Sequence, residues 1–171
     1  MQFRHVTVLR AEAVHYLNAS QGGMFVDCTL GGGGHAEAVL QASQQARLIG
    51  IDRDPEALGA AKALLAPYGE RVSFIHGNFA HLPRLLDSWL GQVDGVLFDL
   101  GVSSYQLDKP DRGFSYQHDA ALDMRMDPEQ QLTAADIVNT ASLDELTRIL
   151  REYGEERWAR RIASFIVQER R

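Results

Sequence analysis

The chain has 171 residues, 45% of them hydrophobic, and a formal net charge of −6 at pH 7. That composition supports one sizeable core and excludes fibre, disorder and a disulfide scaffold, because the single cysteine has no internal partner. The acidic balance argues against coating nucleic acid by bulk electrostatics; Met1-Gln2-Phe3-Arg4-His5 leads into no long apolar segment, so neither signal peptide nor membrane span is expected and the cytoplasm is the expected location.

Leu9 to Leu17 predicts an entry helix with Ala13, Val14 and Leu17 facing inward. Apolar runs rich in β-branched residues follow at Met24–Cys28, Ala46–Ile51, Arg71–His76 and Val93–Phe98. Their alternation with helical patterns predicts a parallel sheet. Asp54-Pro55 joins an N-cap to a proline in the first helical position, opening a helix with Ala57, Leu58, Ala61, Leu64 and Leu65 on one side. His81 to Leu90 predicts a further helix. Residues 101–128 then crowd Gly, Ser, Pro and Asp with no clean period, and a loop of that length in a compact domain is usually functional or disordered. Helices resume at two capping-box starts, Thr133-Ala134-Ala135-Asp136 and Ser142-Leu143-Asp144-Glu145. Leu143, Leu146, Ile149 and Leu150 form one apolar stripe and Trp158, Ile162, Phe165 and Ile166 another, both read as helix packing. Residues 148–171 hold seven Arg against four Glu, a +3 tail on a −9 remainder, which is either a solvated helix face or an RNA contact.

The chemistry concentrates where the apolar runs end. Between the first strand and the next helix stand Asp27 and the four glycines Gly31 to Gly34. Such a turn brings backbone close to a ligand and offers it free N–H groups. Gly31, Gly33 and Ala36 also satisfy the dinucleotide pattern, so an NAD-linked oxidoreductase stays open on the glycines alone. Asp52, after the second strand and 21 residues beyond Gly31, is placed to reach ribose hydroxyls, as it would be in either class of enzyme. Asp27 discriminates. A carboxylate there is ill suited to a pyrophosphate but suits the ammonium and sulfonium charges of S-adenosylmethionine, with a helix cap as its plain alternative. Asn78 and Phe79, after the third strand, would offer adenine a polar partner and an apolar face, or Phe79 simply packs into the core. Asp99 follows the fourth strand.

Several segments resemble one family closely. They are His5-Val6-Thr7-Val8-Leu9, the glycine turn, Gly50-Ile51-Asp52-Arg53-Asp54-Pro55, Asp99 through Asp108, Arg112-Gly113-Phe114-Ser115, Leu122-Asp123-Met124-Arg125-Met126-Asp127 and Tyr153-Gly154-Glu155-Glu156-Arg157. On these residues the chain is similar to the bacterial RsmH, or MraW, family of 16S ribosomal RNA cytosine-N4 methyltransferases. The resemblance implies a Rossmann-like class I S-adenosylmethionine-dependent methyltransferase sheet, partial with about four parallel strands, and a helical insertion. It implies a cofactor domain over 1–107, and a substrate loop with a helical inserted domain over 108–171. It also implies cofactor contacts at Gly33, Gly34, His35, Asp52, Phe79, Asp99 and Gln106. The implied partner is 16S ribosomal RNA in the small subunit, methylated at a cytosine near the decoding centre.

Family members continue past the point where this chain stops, through later strands and a Ser-Phe-His-Ser segment not found here. A catalytically incomplete cofactor-binding fragment is therefore an alternative expectation, with self-association through an exposed strand-four edge. For catalysis, Asp99 or a carbonyl of Leu100-Gly101 would accept a hydrogen bond from the amino group, and Asp99 is the candidate for taking its proton. The segment is Asp99-Leu100-Gly101-Val102, not the Asp or Asn followed by two prolines and an aromatic common among amino-methyltransferases. Tyr105 is a candidate stacking platform for the base or a loop anchor. Asp123, Arg125 and Asp127 alternate along an extended stretch, giving either an internal ion-pair clamp or a substrate-loop role. Cys28 lies inside the cofactor strand, so a nucleophilic role is rejected. No metal site is expected.

Overall fold

The computed structural model describes residues 7–170, so His5 and Val6 of the amino-terminal segment lie outside the described residues. The chain forms two compact units, one ending at Gln106 and the other beginning at Leu107.

The first unit contains α1 (Arg10–Tyr16), β1 (Gly23–Asp27), α2 (Gly34–Ala42), β2 (Ala46–Asp52), α3 (Pro55–Leu65), β3 (Val72–His76), α4 (Leu82–Leu85) and β4 (Gly95–Leu97). The four strands form one sheet in the order β3-β2-β1-β4. Every pair is parallel, with Asp27 opposite both Gly50 and Leu97, and Asp52 opposite His76. That register brings the carboxyl ends of all four strands to one edge.

Side chains alternate across the strands, and both faces are covered. Phe25 and Leu48 point to the side where α2 contributes Val39 and Leu40 and α3 contributes Leu58, Ala61 and Leu65. Val26, Cys28, Ile49 and Ile51 point to the other side, against Leu82, Leu85, Leu86 and Trp89. Asp54 caps α3 by accepting the Glu56 backbone N–H at 3.0 Å, with Pro55 behind it. Leu64 departs from the stripe expected of it and is 40% exposed.

Two expected elements differ. The helix expected over His81–Leu90 is broken into a 3₁₀ turn at Phe79–His81, the short α4 and a second 3₁₀ turn at Asp87–Trp89. Leu86 leaves helical dihedrals at φ −106°, and the broken path lets Leu82, Leu85, Leu86 and Trp89 all reach the sheet, so burial overrides a continuous helix. β4 is shorter than the Val93–Phe98 run, although Asp94 donates its N–H to the Met24 carbonyl and the Cys28 N–H is accepted by Leu97. It pairs with β1 alone, and Val96 and Phe98 are exposed.

Residues 101–128 are less irregular than expected, holding α5 (Ser104–Asp108) and a 3₁₀ turn at Pro110–Arg112. Beyond them lie α6 (Ala134–Thr140), α7 (Leu143–Glu152) and α8 (Ala159–Glu169). Thr133 and Asp136 form the full reciprocal capping box. At α7 the box is half formed. Ser142 accepts the Glu145 N–H, while the Glu145 carboxylate turns to Arg148 at 2.8 Å. The second apolar stripe is also corrected. Ala159 and Ala163 are the buried residues of α8, while Trp158, Ile162 and Phe165 are exposed. In the arginine-rich tail, Arg148 pairs with Glu145 and Glu152, Arg160 with Asp144, and Arg170 donates to the last carbonyls of α6.

Candidate cofactor site

The glycine turn is held from both sides. Gly33 has φ +87°, and a Cβ there would stand 3.3 Å from the Ala61 side chain, so α2 and α3 require glycine at that position. Gly34 opens α2, beside Thr7. Asp52 fixes the start of the turn, accepting the Gly31 N–H at 2.7 Å and the Asp54 N–H at 2.9 Å. The carboxylate expected to bind ribose thus braces the glycine turn against the end of β2.

Asp27 is 1% exposed. One of its oxygens accepts the Thr29 backbone N–H at 3.1 Å. The other, Oδ2, is buried with no hydrogen-bond partner. Burial pushes the Asp27 carboxyl up to about 7, the Thr29 N–H opposing this and the charges of Asp52 and Asp99 adding to it. A buried carboxylate without a cation, beside two more carboxylates, is the donor set for a positively charged ligand.

Thr29 ties this group together, since its hydroxyl oxygen accepts the Asp99 backbone N–H at 2.6 Å. Sequence reasoning passed over it, although an Asp two residues before a Thr N–H is a recognisable side-chain turn. The Asp99 side chain is 59% exposed and lies 3.7 Å from Nδ1 of His35. His35 is itself buried, its Nε2 bonded to the Val8 carbonyl at 2.9 Å. Asp27, Gly33, Gly34, His35, Asp52 and Asp99 therefore belong to one neighbourhood at the carboxyl edge of the sheet. Phe79, 38% exposed, stands edge-on to Phe98 with centroids 5.5 Å apart, and the Asn78 side chain caps the turn at Ala80.

Gln106 is placed differently from a simple ligand contact. It is buried, donates from Nε2 to Asp54 Oδ2 at 2.9 Å, and accepts the Ser103 N–H on Oε1. Asp54 was read only as a helix cap, and a partner 52 residues away leaves no local signal. Tyr105, beside Gln106 in α5, is half-buried.

In the second unit Asp123 and Arg125 close on each other. Arg125 donates from Nε and a terminal nitrogen to the two Asp123 oxygens at 2.9 and 2.7 Å, and from its other terminal nitrogen to the carbonyls of Pro128 and Gln130. The Arg125 hydrogen bond holds the Asp123 carboxyl below its ordinary range. This geometry is that of an ion-pair clamp, and Asp127 instead accepts the Glu129 N–H. Cys28 is buried, and burial beside Asp27 pushes its thiol up to about 11, which suits an inert core residue. Among the described residues no group of three or more His, Cys, Asp or Glu is placed to hold a metal ion, and no helix is long and apolar enough to cross a membrane.

A parallel sheet ordered 3-2-1-4, with a glycine turn after its first strand and carboxylates at its strand ends, is the Rossmann-like arrangement, shared by dinucleotide enzymes and class I methyltransferases. The model of the MraW methylase family matches residues 2–171, and the chain belongs to that family. It is 53% identical over its full length to ribosomal RNA small subunit methyltransferase H of Symbiobacterium thermophilum, covering 54% of that protein. To the protein of the same name from Geotalea uraniireducens it is 55% identical, over 98% of this chain and 54% of that one. The chain thus spans about half the length of the curated relatives it matches. A solved rRNA methylase from Streptococcus thermophilus aligns at 18% identity with a TM-score of 0.43, over 59% of this chain and 58% of that one. Membership implies S-adenosylmethionine as the methyl donor.

Proposed function

We propose that the protein holds S-adenosylmethionine at the carboxyl edge of its sheet and methylates the exocyclic N4 amino group of a cytosine in 16S ribosomal RNA, near the decoding centre of the cytoplasmic small subunit. The observation that carries the cofactor part of this reading is the buried Asp27 carboxylate, whose Oδ2 has no partner, flanked by Asp52 and Asp99. A dinucleotide would bring phosphates to that cluster, whereas S-adenosylmethionine brings ammonium and sulfonium charges. The curated relatives' names supply the RNA class of the substrate.

In this reading Asp27 answers the positive charge of the cofactor, Gly33 and Gly34 let backbone approach it, and Asp52 offers its remaining lone pairs to the ribose. Phe79 gives the adenine an apolar face, and His35 and Gln106 complete the wall. Bound there, S-adenosylmethionine would supply an electrophilic methyl group. Asp99, exposed beyond β4, accepts a hydrogen bond from the amino group and turns the nitrogen lone pair toward the methyl carbon, and Tyr105 stacks on the base. Such positioning matters because that lone pair is delocalised into the ring.

The test is incubation with small ribosomal subunits and methyl-labelled S-adenosylmethionine, followed by digestion of the RNA to nucleosides. Label in N4-methylcytidine is the expected result, and label in another nucleoside refutes the N4 assignment. Tight binding of S-adenosylmethionine without turnover would favour a cofactor-binding unit that needs a partner surface. The exposed β4 edge keeps that second reading in view.

A further inference from the structure

The hydrogen bonding around His35 determines which of its nitrogens carries the proton. A backbone carbonyl only accepts, so the 2.9 Å contact with the Val8 oxygen requires the hydrogen on Nε2. In the neutral ring Nδ1 is then a bare lone pair, and it faces a carboxylate oxygen of Asp99 across 3.7 Å. Two acceptors face each other there, so a proton delivered to either is attracted to both. One partner is buried and held by a carbonyl, while the other is half in solvent, where an RNA base has access. Asp99 is also fixed through its backbone N–H to Thr29.

Methylating an amino group requires such a receiver. The nitrogen forms the new N–C bond with its own electron pair, the C–S pair goes to sulfur, and the nitrogen is left with one proton too many. Resting on the methyltransferase reading above, we infer that Asp99 and His35 form a proton-accepting pair. Asp99 takes the proton from the amino nitrogen, and His35 Nδ1 shares it, the ring being oriented by the Val8 carbonyl. His35 is a positioning residue that acts through Asp99. Charged groups on neighbouring elements include Asp27 of β1 and Asp52 of β2, together with Arg10 of α1 and Glu37 of α2, which pair with each other at 3.2 Å.

Two measurements test the pair. With ¹⁵N-labelled histidine, the imidazole nitrogen shifts report tautomer and protonation without any activity. The expected spectrum shows His35 as the Nε2–H tautomer, and Asp99→Asn moves the Nδ1 resonance because the carboxylate facing it is replaced by an amide. An Nδ1–H tautomer, or an Nδ1 resonance indifferent to Asp99, overturns the inference. In the methylation assay His35→Gln keeps a donor for the Val8 carbonyl but removes the second nitrogen. Its kcat should fall at least tenfold, beyond any change in the cofactor KM. A defect confined to the cofactor KM reduces His35 to a binding contact and overturns the inference. Absence of methylation by the unmodified protein refutes the functional reading, while the nitrogen shifts still decide whether the pair exists.

Discussion

Asp27→Asn separates what the fold tolerates from what the ligand requires. In the unfolded chain this carboxyl titrates at its ordinary 3.8, and in the folded chain burial lifts it to about 7. The folded state therefore holds the proton more tightly. Its contribution to stability is fully present below pH 3.8 and is lost as the pH rises to about 7. At about 1.4 kcal/mol per pH unit, that interval amounts to roughly 4 kcal/mol, a large share of the 5–15 kcal/mol that holds a typical domain together.

Asparagine keeps an oxygen for the Thr29 N–H and places an uncharged amide where Oδ2 has no partner. Near pH 4 the two side chains are both neutral, and the substitution should be close to neutral in stability. At pH 8 the asparagine protein should be more stable by up to about 4 kcal/mol, measured by urea denaturation without ligand. With S-adenosylmethionine present the order should reverse in binding, the variant losing about 1.5–3 kcal/mol of affinity by calorimetry. An identical stability difference at pH 5 and pH 8 would refute the assignment of a strained, ionised carboxylate to this position.

Gln106→Leu strips the buried Asp54 oxygen of its amide partner, so denaturation should show a loss of about 1.5–3 kcal/mol; an unchanged midpoint would mean that this link is idle. For Gly33→Ala, whose backbone stands at φ +87° with Ala61 close by, the expected cost is about 1–2 kcal/mol, and equal stability would contradict the tight turn. The Cys28 thiol, buried and raised to about 11, should react with a thiol reagent only at the rate of unfolding, which stopped-flow denaturation measures independently; faster labelling would show local opening of β1.

β1 and β2 were legible because each is a short apolar run buried on both faces, and α3 because Asp54 and Pro55 mark its start unambiguously. The helix expected at His81–Leu90 was not, because its leucines are recruited by the sheet and the chain bends to deliver them. Periodicity also misled at α8. Trp158, Ile162 and Phe165 have helical spacing, yet the residues α8 buries are Ala159 and Ala163, whose small side chains carry little weight in any hydrophobic pattern.

The candidate site shows the same division in sharper form. A parallel register brings together whatever follows each apolar run, so Asp27, Asp52 and Asp99 could be assigned to one edge without knowing any contact between them. Contacts that depend on how a loop returns, such as Gln106 to Asp54 or His35 to the Val8 carbonyl, join positions 52 and 27 residues apart and have no local signature. Yet these contacts shape the site. Asp54 and Thr29 engage backbone and amide groups beside it, while among the described residues Asp27 Oδ2 alone is a buried side-chain atom without a partner. Leaving it so costs stability at neutral pH, and in the proposed reading a cationic cofactor offsets that cost. On that reading cofactor affinity and the pH dependence of stability are two measurements of the same carboxylate.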